Sequence, residues 1–353
     1  MRKLPRRVRF TVVGAVTVVV VAVVASSVLL LTPALAGAGD ALAPVPTIAP
    51  VAPTGAAPTS GPATTTGSVG PGKTTLSYCD DGGVSETLDV YEPDPLPASP
   101  VPAVVYVHGG GWVQGDSAIS AGSLIGQVAS GIEAKGWVFV SIDYRLAPRF
   151  RWPAQIDDAA CAIRFLRARS ASLHIDPDAI GAIGDSAGGQ IVSLLGLAGR
   201  DAGFDTASYT DQSSGVQAVV DLYGPADLTT PDWADAPLIQ IYAPQAFGTD
   251  LGPGTPGSPT TDALIAASPV TYVGPDEPPF LIVQGAEDTV VPPDQSTELA
   301  ARLRAAGDSA RLVMVQHAQH GLLPVTGGPQ TPAISQIVSQ TVAFLVGHLG
   351  HRR

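Results

Sequence analysis

The chain has 353 residues, 45% of them hydrophobic and 14% charged, with a formal net charge of −12, 39 glycines, 33 prolines and two cysteines. Five of the 19 basic residues lie in the first nine positions, whereas all 31 acidic residues follow residue 39. The rest of the chain, 14 basic residues against 31 acidic, therefore carries −17, a field that repels nucleic acid and anionic membrane surfaces and excludes both as expected partners.

MRKLPRRVR leads into Phe10–Leu31, 22 residues without a charge. Such a run can cross a hydrocarbon core of ~30 Å, and the basic flank would hold the N-terminus in the cytoplasm. Pro33-Ala34-Leu35-Ala36 also supplies an A-x-A cleavage pattern. Residues 1–36 are thus expected to be a membrane anchor over residues 10–31 or a signal peptide cleaved near Ala36. The run exceeds the ~7–15 residues of a signal core, which favours the anchor. Both readings export the remainder of the chain, and both confine membrane contact to this segment. Residues 37–72 are Pro, Ala, Thr and Gly with one charge, Asp40. Frequent proline forbids helix and sheet ladders, so this stretch reads as a semi-extended tether. Residues 73–353 have the composition of a folded domain large enough for one substantial core.

Within that domain VSETLDVYE (84–92) alternates like an exposed early strand. AVVYV (103–107), GWVFVSID (136–143), AIGAI (179–183), VQAVVDLY (216–223), FLIVQ (280–284) and RLVMVQ (311–316) are near-continuous apolar runs, the pattern of strands buried on both faces of a parallel sheet. Helical patterns fall near 119–134, 153–170, 187–199, 294–306 and 329–348. The alternation predicts an α/β fold with a mostly parallel sheet and helices on both faces. In such sheets functional residues gather just past the carboxyl ends of the strands.

That rule sorts a tetrapeptide, GDSA, that occurs three times. Gly307–Ala310 follows a helical pattern and precedes a strand; its glycine reads as a helix C-cap on the opposite side of the sheet. Gly115–Ala118 sits in a loop before a helix, where Asp116 or Ser117 reads as an N-cap. Gly184–Ala187 differs, because AIGAI runs straight into G-D-S-A-G-G and a helix continues from it. Strand, turn and helix are the context of a G-x-S-x-G nucleophile elbow. Ser186 is the candidate nucleophile, with Gly184 and Gly188 allowing the strand and helix to approach.

An acyl-transfer serine needs donors for an oxyanion, a base, and a group that orients the base. AVVYV ends in His108-Gly109-Gly110-Gly111-Trp112, a glycine loop whose amides, with that of Ala187, would form an oxyanion hole. His108 reads as fixing the loop by hydrogen bonding. QHAQHG after the last strand offers His317 and His320, with His320 preferred beside Gly321. His174, His348 and His351 read as surface residues, the last two in a frayed C-terminus. FLIVQ leads into Gly285-Ala286-Glu287-Asp288, where Asp288 is preferred over Glu287 as the orienting acid. The order Ser, Asp, His is that of α/β-hydrolases.

Cys79 and Cys161 allow one bridge in an oxidising compartment; the alternative is two small buried hydrophobes. Ile156, Ala159, Ala160, Ile163 and Leu166 share a helical stripe that leaves Cys161 on the opposite side, which favours the disulfide. Residues 224–278 are Pro-rich, carry Trp233, Tyr242 and Phe247, and are too long for a plain connection. They read as a lid or pocket-wall insertion, the alternative being a packing excursion over the sheet.

HGGGW, DYRLAP (143–148), GDSAGG, GAEDTVVPPDQS (285–296) and HAQHG together resemble the hormone-sensitive-lipase and carboxylesterase branch of the α/β-hydrolases, over roughly residues 76–348. The latter half is closest to the exported feruloyl-esterase-like (BD-FAE-like) subgroup; one departure is that GAEDTVVP replaces the acidic motif usual in the lipase branch, so that branch's substrate preference does not transfer. The resemblance implies an α/β-hydrolase fold, with Ser186, Asp288 and His320 as a triad and Gly110, Gly111 and Ala187 as oxyanion donors. It implies hydrolysis of small-molecule carboxylic esters without a cofactor or metal. An amidase, peptidase or formamidase on the same scaffold is the rival chemistry, and a non-catalytic cell-surface binding protein the rival class.

Overall fold

The computed structural model describes residues 72–81, 83–198, 203–204, 208–248 and 259–350. The anchor or signal peptide expected over residues 1–36 lies outside the described residues, as does the tether up to residue 71. Among the described residues no helix is long and apolar enough to cross a membrane.

The apolar runs pair into one eight-stranded sheet. β1 (Lys73–Asp81) and β2 (Val84–Tyr91) form an antiparallel hairpin, and β2 continues antiparallel onto β4 (Val138–Ile142). All later pairings are parallel, in the spatial order β4, β3 (Val101–Val107), β5 (Ile175–Asp185), β6 (Val219–Leu222), β7 (Phe280–Gly285) and β8 (Ala310–Val315). Side chains alternate across the pleat, so each central strand feeds two cores. In β3, Ala103, Val105 and Val107 join one apolar cluster, while Val104 and Tyr106 join the other. The first cluster is closed by α2 (Ala154–Ala168), α3 (Ala187–Leu197) and α7 (Pro293–Ala306), through residues such as Ile163, Ile191 and Leu299. The second is closed by α1 (Leu124–Glu133) and α8 (Ile334–Leu349), through Val128, Ile132 and Leu345. Helices on both faces of a mostly parallel sheet are the architecture expected from the alternation.

The differences from expectation are local. β1 is a strand the apolar pattern does not reveal, because it pairs only at the sheet margin with β2 and alternates polar residues along its length. β2 is not an exposed strand throughout; Leu88, Asp89 and Val90 are buried where it meets β4. α1 starts at Leu124 rather than near 119, because the Ser123 side chain accepts from the Gly126 amide at 3.0 Å and takes the capping role assigned to Asp116 or Ser117. α8 starts at Ile334 rather than 329, since Pro329 and Pro332 cannot supply helical amides. Its last turn is ordered, with the His348 ring 4.7 Å from that of Phe344, so His348 is not in a frayed end; His351 lies outside the described residues. Gly307 does cap α7, in the left-handed conformation.

Cys79 and Cys161 form the disulfide, but not because Cys161 faces away from the core. Cys161 is fully buried, as is nearly every residue of α2. The helix is packed against β5 and α3 beneath it and against β1 as well, so its polar side faces protein. The bridge ties the marginal hairpin strand to a buried helix.

The 224–278 excursion folds into α4 (Pro231–Ala234), α5 (Ile239–Phe247) and α6 (Pro259–Ala266), with a 3₁₀ turn over Pro269–Tyr272 after them. Trp233 and Phe247 are buried in it, and the Phe247 ring meets Trp112 edge-on at 5.0 Å.

Candidate active site

β3, β5, β6, β7 and β8 are neighbours in the sheet and run parallel, so the loops after their carboxyl ends converge. Ser186 follows β5 directly and stands at the start of α3 with φ 53° and ψ −117°. A serine adopts that conformation only under constraint from its surroundings. Here the constraint is the strand-to-helix bend: the Ser186 amide donates to the Leu222 carbonyl of β6, and the Ser186 carbonyl accepts from Gln190 in α3. A Cβ on Gly184 would lie 2.2 Å from the Gly188 carbonyl oxygen, and one on Gly188 would lie 2.0 Å from that of Val107. Any side chain at either position would push the helix off the strand, so the bend requires both glycines.

The imidazole comes from the loop after β8. His320 Nε2 is 2.9 Å from Ser186 Oγ, and its Nδ1 is 2.8 Å from Asp288 Oδ2. With the proton on Nδ1 donated to Asp288, Nε2 is left to accept the serine hydroxyl hydrogen. Asp288, in the loop after β7, is itself held: its Oδ1 accepts from the amides of Val290 and Val291, and its Oδ2 from the Gln284 side chain. The Asp288 side chain is fully buried, whereas that of His320 is 23% exposed toward the cavity.

The competing candidates have other duties. Glu287 accepts from the amides of Ala318 and His317 at 3.0 and 3.3 Å, so it pins the loop that carries His320 and does not touch its ring. His317 turns its ring against Gly327 and Gly328. His108 fixes the glycine loop as expected: Nδ1 pairs with the Gly109 carbonyl at 2.7 Å, and the ring stacks on Tyr144 at 4.2 Å. Burial pulls its pKa below the usual imidazole value.

Gly110, Gly111 and Trp112 all have positive φ, a tight turn that the Gly110 carbonyl closes by accepting from Val113 and Gln114. Gly110, Gly111 and Ala187 line one cavity of about 270 Å³ with Ser186 and His320. As the first residue of α3, Ala187 has an amide with no partner inside the helix. Five of the six predicted site residues thus share one opening, and Asp288 stands behind the His320 ring. The outer wall of the cavity comes from the 224–278 excursion, through Leu238, Ile239 and Tyr242, with Val290 and Val291 also lining it.

Several supports are not legible from sequence. Asp185 accepts from the Tyr106 hydroxyl at 2.6 Å and from the Gly109 amide at 3.1 Å, which fastens the glycine loop to the elbow. Gln190 does the same deeper in, accepting from the Trp112 indole at 3.1 Å and donating to the Ala267 carbonyl at 2.7 Å. Tyr223, another residue with positive φ, sets its ring edge-on to His320 at 5.1 Å. The available signal is positional, since Asp185 lies inside GDSA and Tyr223 at the end of a predicted strand.

Comparison with known proteins places the chain among esterases of the same fold. The BD-FAE family model matches residues 88–303. Esterase LipC of Mycobacterium tuberculosis is 33% identical over 271 residues, 74% of this chain and 64% of LipC. Carboxylesterase NlhH of the same organism is 33% identical over 283 residues, 77% of this chain and 80% of NlhH. The chain spans less than two thirds of the lengths of LipC, LipQ and LipM, at 64%, 62% and 62%. Among solved structures, butyrate-bound esterase 2 of Thermogutta terrifontis superposes with a TM-score of 0.62 at 25% identity, covering 80% of this chain and 97% of that one. The same enzyme is also known phosphorylated by paraoxon. A truncated carbohydrate esterase from gut microbiota shares the fold, with a TM-score of 0.64 at 24% identity over 78% of this chain and 96% of that one.

Proposed function

The chain belongs to the BD-FAE family of α/β-hydrolases, and on that basis we propose that it is an exported serine carboxylesterase acting on small-molecule carboxylic esters. The observation that carries this reading is the unbroken line from Ser186 Oγ through His320 to Asp288, at 2.9 and 2.8 Å, opening onto a cavity that Gly110, Gly111 and Ala187 also line.

In this mechanism Ser186 Oγ attacks the ester carbonyl carbon as its proton passes to His320 Nε2. The carbonyl π electrons move onto oxygen, and the amides of Gly110, Gly111 and Ala187 hold the resulting oxyanion. Asp288 keeps the imidazole in the useful tautomer and stabilises the imidazolium. Collapse of the tetrahedral species breaks the bond to the alcohol oxygen, which leaves with the proton from His320. Water then attacks the acyl-serine with His320 again as base, releasing the acid and restoring Ser186. Export rests on the apolar run at residues 10–31 and the A-x-A pattern ending at Ala36; intact-mass measurement of the mature N-terminus distinguishes an anchor from a cleaved signal.

Matched ester and anilide substrates test the activity. Turnover of the ester with little or none of the anilide is the expected result. Preference for the anilide would make the protein an amidase. Turnover of neither, with no labelling by an organophosphate, would leave a binding protein.

A further inference from the structure

The charge of Asp185 has no part in the bond-making steps. The residue nevertheless lines the cavity beside Ser186, with its Oδ1 turned to the Tyr106 hydroxyl and the Gly109 amide, from both of which it accepts. Both donors are neutral. Burial raises its pKa above the usual carboxylate value, an effect opposed by the Tyr106 hydrogen bond. Among the described residues lining the cavity there is no lysine and no arginine. Much of the remaining wall is apolar, made by Leu238, Ile239, Tyr242, Val290 and Val291.

An anionic group entering this space loses its hydration without meeting a cation. It also meets a like charge. At an effective dielectric constant of about 20, repulsion between like unit charges several ångströms apart is worth on the order of 100-fold in binding. A cationic group of the same size loses hydration too, but is attracted by the same carboxylate. We propose that the cavity takes neutral and cationic esters and rejects esters carrying a carboxylate, with Asp185 as the specificity-determining residue. This rests on the esterase reading above.

The test compares kcat/KM at neutral pH for three ethyl esters of similar length: ethyl pentanoate, monoethyl succinate and the ethyl ester of γ-aminobutyric acid. The two charged probes differ in sign, so their ratio isolates the field in the cavity from the cost of dehydration. The cationic ester is expected to exceed the anionic one by ~100-fold or more. The gap should persist in ~1 M salt, where the Debye length is ~3 Å and the overall acidity of the surface is screened. Asp185→Asn, which keeps an acceptor for Gly109, should narrow the gap at least tenfold. Equal turnover of the two charged probes within threefold would overturn the proposal. So would a gap that vanishes in salt, or one that Asp185→Asn leaves unchanged. Turnover of ethyl pentanoate separates these failures from failure of the esterase reading, which would abolish all three rates and take the proposal with it.

Discussion

Gly184–Ala187 and Gly115–Ala118 are the same four residues in two environments. In the first, a buried strand ends in a bend that forces Ser186 to φ 53° and sets its hydroxyl 2.9 Å from an imidazole. In the second, Ser117 is buried beside the β1–β2 hairpin. Its amide donates to Asp143 at 2.6 Å, and its hydroxyl lies 3.3 Å from both Asp89 and Asp143. Thr87 and Lys73 bring further donors to the same carboxylates. One serine is therefore held in strain with its oxygen open to a cavity, and the other is used up bridging two acids. The residues do not make the difference; the elements before and after them do. At the third copy, the Ser309 carbonyl accepts from Phe280 at 2.8 Å and Asp308 accepts from the Glu277 amide at 3.0 Å, which again is structural work.

Perturbations of the two regions should therefore separate into lost chemistry and lost stability. The largest effect is expected from Ser186→Ala, which should lower kcat by ~10⁴–10⁶ with an unchanged thermal midpoint; steady-state kinetics beside a melting curve would show it. Next is removal of the Cys79–Cys161 bridge, whose cysteines are 82 residues apart. Replacing both cysteines with alanine should cost ~4–5 kcal/mol of unfolding free energy in urea titration, while kcat per folded molecule stays near wild type. A comparable loss of kcat with no loss of stability would mean that the hairpin region belongs to the site.

Gly111→Ala perturbs the glycine loop and spares the hairpin. Gly111 has φ 61°, and a Cβ there would lie 2.7 Å from the Tyr242 ring. The substitution should disturb the oxyanion loop and lower kcat by ~10²–10³, leaving the polar cluster at Ser117 intact. The smallest effect belongs to Ser117→Ala, which strips a hydroxyl from between two carboxylates. A loss of ~1–3 kcal/mol of stability is expected, with kcat within a few-fold of wild type. A kinetic defect exceeding the stability defect would contradict the assignment of Ser117 to the scaffold.

Much of this arrangement is legible in the sequence because its signals are local. A buried strand read from AIGAI, a glycine-flanked serine and a helix behind it determine the elbow without reference to the rest of the chain. The same holds for His108–Trp112 after β3 and for Asp288 and His320 after the last two strands. The features that escape depend on tertiary cover. The one-sided stripe of α2 puts Cys161 outside the core, yet β1 packs over that side and buries it. β1 itself is a strand only by virtue of its partner. Glu287 looks like a rival for the acid, and its role in pinning Ala318 and His317 emerges only when β7 and β8 lie side by side. Asp185 is visible in GDSA as a letter, while its grip on Gly109 depends on the register of β3 against β5.

Of the three GDSA serines, Ser186 alone is expected to be the nucleophile, and reaction with a fluorophosphonate followed by peptide mass spectrometry distinguishes them. One equivalent of label on Ser186 is expected, abolished by Ser186→Ala and unaffected by Ser117→Ala or Ser309→Ala. Label that survives Ser186→Ala, or that is found on Ser117 or Ser309, would contradict the account.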